Sequence, residues 1–200
     1  SDHQFLGMLG MHGTYEANNA MHECDLMINI GARFDDRITG RVDAFSPNSK
    51  KIHIDIDPSS INKIVKVDVA IVGDCLSVIN DMLGEIKNKH QKFLSSNKEN
   101  ISDWWKQIDQ WREKKSLSYK KDKTLIMPQY AVERLYELTK NQDTFITTEV
   151  GQHQMWAAQF YKFDKPNRWM TSGGLGTMGY GLPAAIGTQI AHPDKLVIDI

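Results

Sequence analysis

Five times along this chain a short aliphatic or β-branched run breaks off at glycine, serine or an acid. Leu26–Ile30 stops at Gly31, Lys51–Ile56 at Asp57-Pro58, and Val67–Val72 at Gly73-Asp74. Further on, Thr144–Thr148 stops at Glu149 and Arg168–Thr171 at Ser172-Gly173. Each run has the length of a strand, and the residues that end it are turn formers. Helical periods lie between them. Leu76, Ile79, Leu83 and Ile86 recur at steps of three and four, and Ala131, Leu135 and Leu138 follow Pro128, which suits the first turn of a helix. Met178–Ala191 reads as a helix rich in small residues, with a last strand beginning over Lys195–Ile200. Strands that alternate with helices need crossovers, so the strands run parallel and the helices lie outside. The expected fold is α/β, with two doubly wound parallel-sheet domains joined by a linker, each of them incomplete.

The boundaries follow from a change in composition. Residues 1–90 carry the first α/β unit and 125–200 the second. Residues 91–124 are polar and rich in Lys, Asn and Ser, and read as an interdomain linker. Within the linker Ile101, Trp104, Trp105, Ile108 and Trp111 keep helical spacing, which predicts one docking helix packed by its tryptophan stripe. The cluster Lys114, Lys115, Lys120, Lys121 and Lys123 has Glu113 and Asp122 within or beside it and reads as a solvated loop face.

Overall charge excludes two classes of partner. The formal net charge is −1 with 40% apolar and 24% charged residues. That balance suits a globular core and offers no electrostatic case for nucleic acid or an anionic membrane. No apolar run reaches the roughly 18 residues of a membrane span. Cys24 and Cys75 lack CxxC spacing and read as reduced thiols of a cytoplasmic protein. The chain opens without methionine and stops inside the apolar run Leu196–Ile200, so we expect an internal piece of a longer protein.

Open α/β sheets bind ligands beyond the carboxyl ends of their strands. At those ends stand Gly31–Arg37, Asp55-Ile56-Asp57, Gly73-Asp74, Glu149–His153 and Ser172–Gly179, each mixing glycine with hydrogen-bonding side chains. Gly174-Leu175-Gly176-Thr177-Met178-Gly179 also fits the G-x-G-x-x-G dinucleotide pattern, and Asp199 lies where a ribose-binding acid of a nicotinamide dehydrogenase would stand. On spacing alone a dehydrogenase, a thiamine-free nucleotide-binding protein, and glycines that merely pack helix on strand all stay open.

The longer segments resemble one family. Phe5–Thr14, Gly31–Arg37, His53–Asp57, Gly151–Tyr161 and Ser172–Ala185 follow in order as they do in the large catalytic subunit of the acetohydroxyacid synthase (acetolactate synthase) family. They correspond to the second half of its central domain and the start of its cofactor domain. The resemblance implies the thiamine-diphosphate superfamily fold and three cofactors: FAD, thiamine diphosphate and Mg²⁺. For FAD it implies Met8, Leu9, Gly10, Met11, His12, Gly13, Thr14, Gly31, Arg33, Asp35, Arg37, Asp55, Ile56, Asp57, Gly73 and Asp74. Ser172, Gly173 and Gly174 approach the flavin ring in relatives, with Gln154 and Met155 beside them. Arg33 and Arg37 suit a pyrophosphate, and Asp55 or Asp57 a ribose hydroxyl or the adenine side. For thiamine diphosphate it implies Val150, Gly151, Gln152 and His153 at the diphosphate, with Gly176 and Met178 at the rings. The activity implied is thiamine-dependent decarboxylation of pyruvate and condensation with a second 2-keto acid, giving acetolactate or acetohydroxybutyrate for branched-chain amino acids. The activating glutamate and the metal ligands are expected outside these residues, so this stretch alone is expected to be inactive. The family works as a homo-oligomer in the cytoplasm (in plastids of plants), usually with a small regulatory subunit.

Overall fold

A computed structural model describes residues 3–89 and 98–200. The chain divides into two compact units, Ser1–Ser116 and Leu117–Ile200.

In the first unit three parallel strands lie in the order β1 (Leu26–Ile30), β2 (Lys50–Asp55), β3 (Val69–Val72). Helix α1 (Tyr15–Glu23) precedes β1, the single turn α2 (Asp36–Thr39) follows it, and α3 (Cys75–Lys89) follows β3. The Thr14 hydroxyl caps α1 by accepting from the Ala17 amide at 3.1 Å, satisfying one of the amides a helix start leaves open. Register puts Leu26, Ile28 and Ile30 on one face with Ile52, Ile54, Val69 and Ile71. Met27, Asn29, Lys51, His53 and Asp55 lie on the other. The second face packs on Phe34, Phe45 and Val65. The buried lysine of that face finds the partners a buried charge needs: Lys51 Nζ donates to the carbonyls of Ser46 and Ser49 at 2.8 and 3.1 Å.

Helix α4 (Lys98–Arg112) carries the tryptophan stripe and packs on α1 within this same unit. Ile108 is buried there, and Trp104 meets Trp111 edge-on at 5.7 Å. Ile101 stands exposed, so the stripe is buried only from its second turn onward. Residues 91–97 of the expected linker lie outside the described residues.

The second unit has the order β5 (Trp169–Thr171), β4 (Thr144–Thr148), β6 (Leu196–Asp199), all parallel. Helix α5 (Pro128–Thr139) leads into β4, α6 (Gln152–Phe160) joins β4 to β5, and α7 (Gly181–Ala191) joins β5 to β6. Every residue of β4 is buried, as a central parallel strand covered on both faces must be. Val132, Ile146 and Tyr161 form the core, with Phe163 stacked on Trp169 at 5.3 Å.

Three expected faces and ends are corrected. The inner face of α5 is Val132, Leu135, Tyr136 and Thr139, whereas Ala131 and Leu138 are exposed. The polar tips of Tyr and Thr hide such positions from an apolar count, yet here the Thr139 and Tyr161 hydroxyls pair at 2.7 Å. On α3, Leu76, Leu83 and Ile86 are exposed. Helix α7 begins at Gly181 and not at Met178, because Gly179 takes φ +77°, which ends helical geometry there. Both cysteines are free thiols. The lysine cluster is exposed throughout, and among the described residues no helix is long and apolar enough to cross a membrane.

Candidate functional site

The first unit gathers its strand ends closely. The Gly31 amide donates to the Ile54 carbonyl at 2.8 Å and the Gly73 amide to the Asp55 carbonyl at 3.0 Å, so the loops after β1, β2 and β3 leave the sheet side by side. Residues 8–14 form a tight turn folded onto α2. A β-carbon on Gly10 would stand 2.4 Å from the Arg37 carbonyl oxygen, and one on Gly13 2.5 Å from that of Met8. Neither position admits a side chain. The structure therefore brings Met8–Thr14 together with Arg37. Burial, and then the charge of Arg37, hold the His12 imidazole below its ordinary range, so it is neutral at pH 7.

The acids at these ends are not alike. The Asp35 carboxylate accepts from the Arg37 amide at 3.0 Å and pairs with Arg33. Asp57 accepts from the Ser59 amide and hydroxyl, and Asp74 from those of Ser77. These amide contacts lower all three carboxyls, and all three are local turn caps. Asp55 alone is buried, and its Oδ1 accepts from the Asp57 amide at 2.9 Å. Around this polar edge stand exposed apolar side chains, with Ile56 70% and Met11 52% accessible. Glycine cradles, two exposed arginines and bare apolar surface together suit a flat aromatic group carrying a pyrophosphate.

The second unit contains a topological switch point. From β4 the chain crosses to β5 on one side, then over to β6 on the other, which opens a crevice at the carboxyl end of β4. Two helices start at that edge, and they differ. The Glu149 carboxylate accepts from the Gly179 and Gly181 amides at 2.9 and 2.5 Å, so α7 already holds an anion. Helix α6 has no side-chain cap. The Gln154 amide donates to the Gly151 carbonyl at 3.1 Å, which leaves the amides of Gln152 and His153 at this helix start for an anion. The His153 ring lies over Gly151, where a β-carbon would stand 2.7 Å from Cε1. His153 Nε2 is buried without a partner, an orphaned polar atom of the kind a diphosphate oxygen would satisfy. Val150 Cγ1 lies 3.6 Å from where a Gly176 β-carbon would be, so the two segments expected at thiamine diphosphate meet. Met178 and Leu175 stand 71% and 95% exposed on that loop.

Ser172, Gly173 and Gly174 lie beyond β5. The Ser172 hydroxyl closes their loop by accepting from the Thr177 amide at 2.9 Å. Gln154 is buried and spends its amide on the Thr171 hydroxyl at 2.6 Å. The engagements of three residues escape sequence reasoning. Glu149 caps a helix some 30 residues away. Asp199, read from spacing as a ribose acid, instead accepts from the Thr147 hydroxyl at 2.7 Å and sits against Gly181. Gly181 itself lies past the glycine motif. With α7 capped and Asp199 engaged, the dinucleotide arrangement is not formed here. Among the described residues no three His, Cys, Asp or Glu side chains gather into a metal site.

Comparison with known proteins agrees with this division. Residues 1–82 match the family described as thiamine pyrophosphate enzyme, central domain, and residues 149–200 match thiamine pyrophosphate enzyme, C-terminal TPP binding domain. The chain belongs to the thiamine pyrophosphate enzymes. Within that class it is similar to acetolactate synthase large subunits: 50% identical to that of Haemophilus influenzae over 99% of this chain, and 51% identical to that of Porphyra purpurea over 96%. It is also 50% identical to the acetolactate synthase isozyme 3 large subunit of Escherichia coli over 98% of this chain. The chain spans about a third of the length of these relatives, 32% to 34%.

Proposed function

We propose that this chain is part of an acetolactate synthase catalytic subunit. That enzyme condenses pyruvate with a second 2-keto acid, pyruvate or 2-ketobutyrate, after thiamine-dependent decarboxylation, as the first common step of branched-chain amino-acid biosynthesis. The observation that carries the reading is the identity of one residue in two, which runs through both units and over 198 residues. The switch-point crevice and the uncapped start of α6 support it.

Thiamine diphosphate, when bound, supplies the nucleophilic carbon and the electron sink for decarboxylation. The chain's own residues bind and orient it. The amides of Gln152 and His153 and the orphaned His153 Nε2 hold the diphosphate, with Gly151 giving the close approach. Val150, Gly176 and the exposed Met178 pack against the rings and exclude water from them. On the first unit Met8–Thr14, Gly31, Arg33, Asp35, Arg37, Asp55–Asp57 and Gly73-Asp74 hold FAD. Arg33 and Arg37 would neutralise its pyrophosphate, and Asp55 would accept from a ribose hydroxyl. Among the described residues no three His, Cys, Asp or Glu side chains gather to hold Mg²⁺. In this reading the subunit acts in the cytoplasm, or in plastids of a plant, as a homo-oligomer with a small regulatory subunit.

The test is to purify the full-length protein that carries this sequence and supply pyruvate. Acetolactate should form only when thiamine diphosphate and Mg²⁺ are present, and a flavin absorbance should copurify. A protein that binds thiamine diphosphate yet makes no condensation product sinks the reading.

A further inference from the structure

The loop after β1 is pinned at one carbonyl. Ala32 O accepts from Asn29 Nδ2 at 2.6 Å and from His53 Nε2 at 3.1 Å. Asn29 and His53 are register partners on adjacent strands, so neighbouring rungs of the sheet build the clamp. The His53 side chain is fully buried, and the Phe34 ring meets it edge-on at 5.1 Å. Its Nε2 also lies 3.6 Å from Asp55 Oδ2. Both neighbours of Nε2 are acceptors, which places the proton on Nε2. Nδ1 has no partner at all. A phenylalanine would fill the same space without stranding a polar atom, so packing alone does not account for an imidazole here.

We infer that His53 is a positioning residue for the flavin edge of the first unit. With Asn29 it fixes the Ala32 carbonyl, and so the direction in which the exposed Arg33 leaves the sheet while Phe34 turns inward. Neither Asn29 nor His53 needs to touch the ligand. The inference rests on the flavin reading given above.

The experiment compares His53→Phe and His53→Gln in the full-length protein. Flavin affinity is read from flavin fluorescence on titrating the stripped protein, and thiamine diphosphate affinity is read alongside. Tryptic cleavage after Arg33 and Arg37, without flavin, reports the loop itself. Phenylalanine keeps the volume and removes the donor, so flavin binding should weaken by about tenfold or more, the loss of one buried hydrogen bond. Thiamine diphosphate affinity should stay within about twofold, and cleavage after Arg33 should speed up. Glutamine can still donate to Ala32 O and should recover most of the flavin affinity. Should His53→Phe fail to fold, Asn29→Ala removes the other half of the clamp and should show the same pattern. Flavin affinity unchanged in His53→Phe overturns the inference, as does glutamine failing as badly as phenylalanine. A parent protein that binds no flavin overturns the flavin reading itself, and this inference with it.

Discussion

Gly181 fills the tightest spot at the edge of the second sheet. A β-carbon there would stand 2.5 Å from Asp199 Oδ1 and 2.8 Å from the Glu149 amide nitrogen. The carboxylate can swing aside, but the backbone cannot. Gly181→Ala is therefore expected to cost more than about 2 kcal/mol in urea unfolding. Gly173→Ala, whose nearest neighbour is 3.9 Å away, should stay within about 0.5 kcal/mol; equal costs would refute the packing argument. Two titrating residues set limits on stability at the pH extremes. Asp143 accepts from Arg168 Nε at 2.8 Å and lies 3.3 and 3.4 Å from Lys165 and Lys195. The Arg168 hydrogen bond, then the neighbouring lysine, hold its carboxyl far below the usual range. A depressed folded value contributes stability above the unfolded pKa, about 3.9, and loses it as pH falls further. Stability measured from about pH 5 downward should consequently fall less steeply in Asp143→Asn. Tyr119 is the opposite case. Burial, then the hydrogen bond to Glu133, push its hydroxyl up to about 12 from 10.0. Its contribution is complete below pH 10 and is lost as pH climbs toward 12, so Tyr119→Phe should blunt the alkaline fall.

At the scale of elements, α5 shows how a helix face is chosen. Ala131, Leu135 and Leu138 look like an apolar stripe, yet Val132, Leu135, Tyr136 and Thr139 face the core. The choice follows from what waits there: the Tyr161 hydroxyl for Thr139, and the Tyr161 ring for Tyr136 at 5.4 Å. Val132→Ala should cost about 2 kcal/mol, in the range of large-to-small core changes. Leu138→Ala should lie within about 0.5 kcal/mol, as surface changes do. Reversed costs in chemical unfolding would restore the stripe. Helix α7 makes the complementary point. Its glycine-rich start reads as an anion site, and it is one, but Glu149 of the chain itself is the anion. That leaves the start of α6 as the open position in the crevice.

Across the molecule, the first sheet keeps one face apolar and partly bare. Leu26, Ile28, Ile30 and Val69 each retain more than 40% of their accessible surface, a contiguous patch of the kind that binds other surfaces. The 200-residue stretch produced by itself should bind a hydrophobic dye and associate, and Ile28→Thr should reduce both. A monodisperse monomer that ignores the dye refutes this. The places of the strands, their parallel pairing and the loops that could hold a ligand were legible in the sequence. Hydrophobic period and turn residues act over neighbouring positions, and a window of the chain contains them. So Leu26–Ile30 and Thr144–Thr148 emerge with the bounds expected of them, and glycine at the strand ends marked the carboxyl edge of each sheet. What only the tertiary structure decided is which of those loop residues are already engaged. Glu149 meets Gly181 across 32 residues, Thr147 meets Asp199 across 52, and His53 meets Ala32 across 21. Such partners are set by strand order and register, which bring distant positions together only after folding. The same carboxylate can read as a ligand group in the sequence and prove to be a helix cap in the fold.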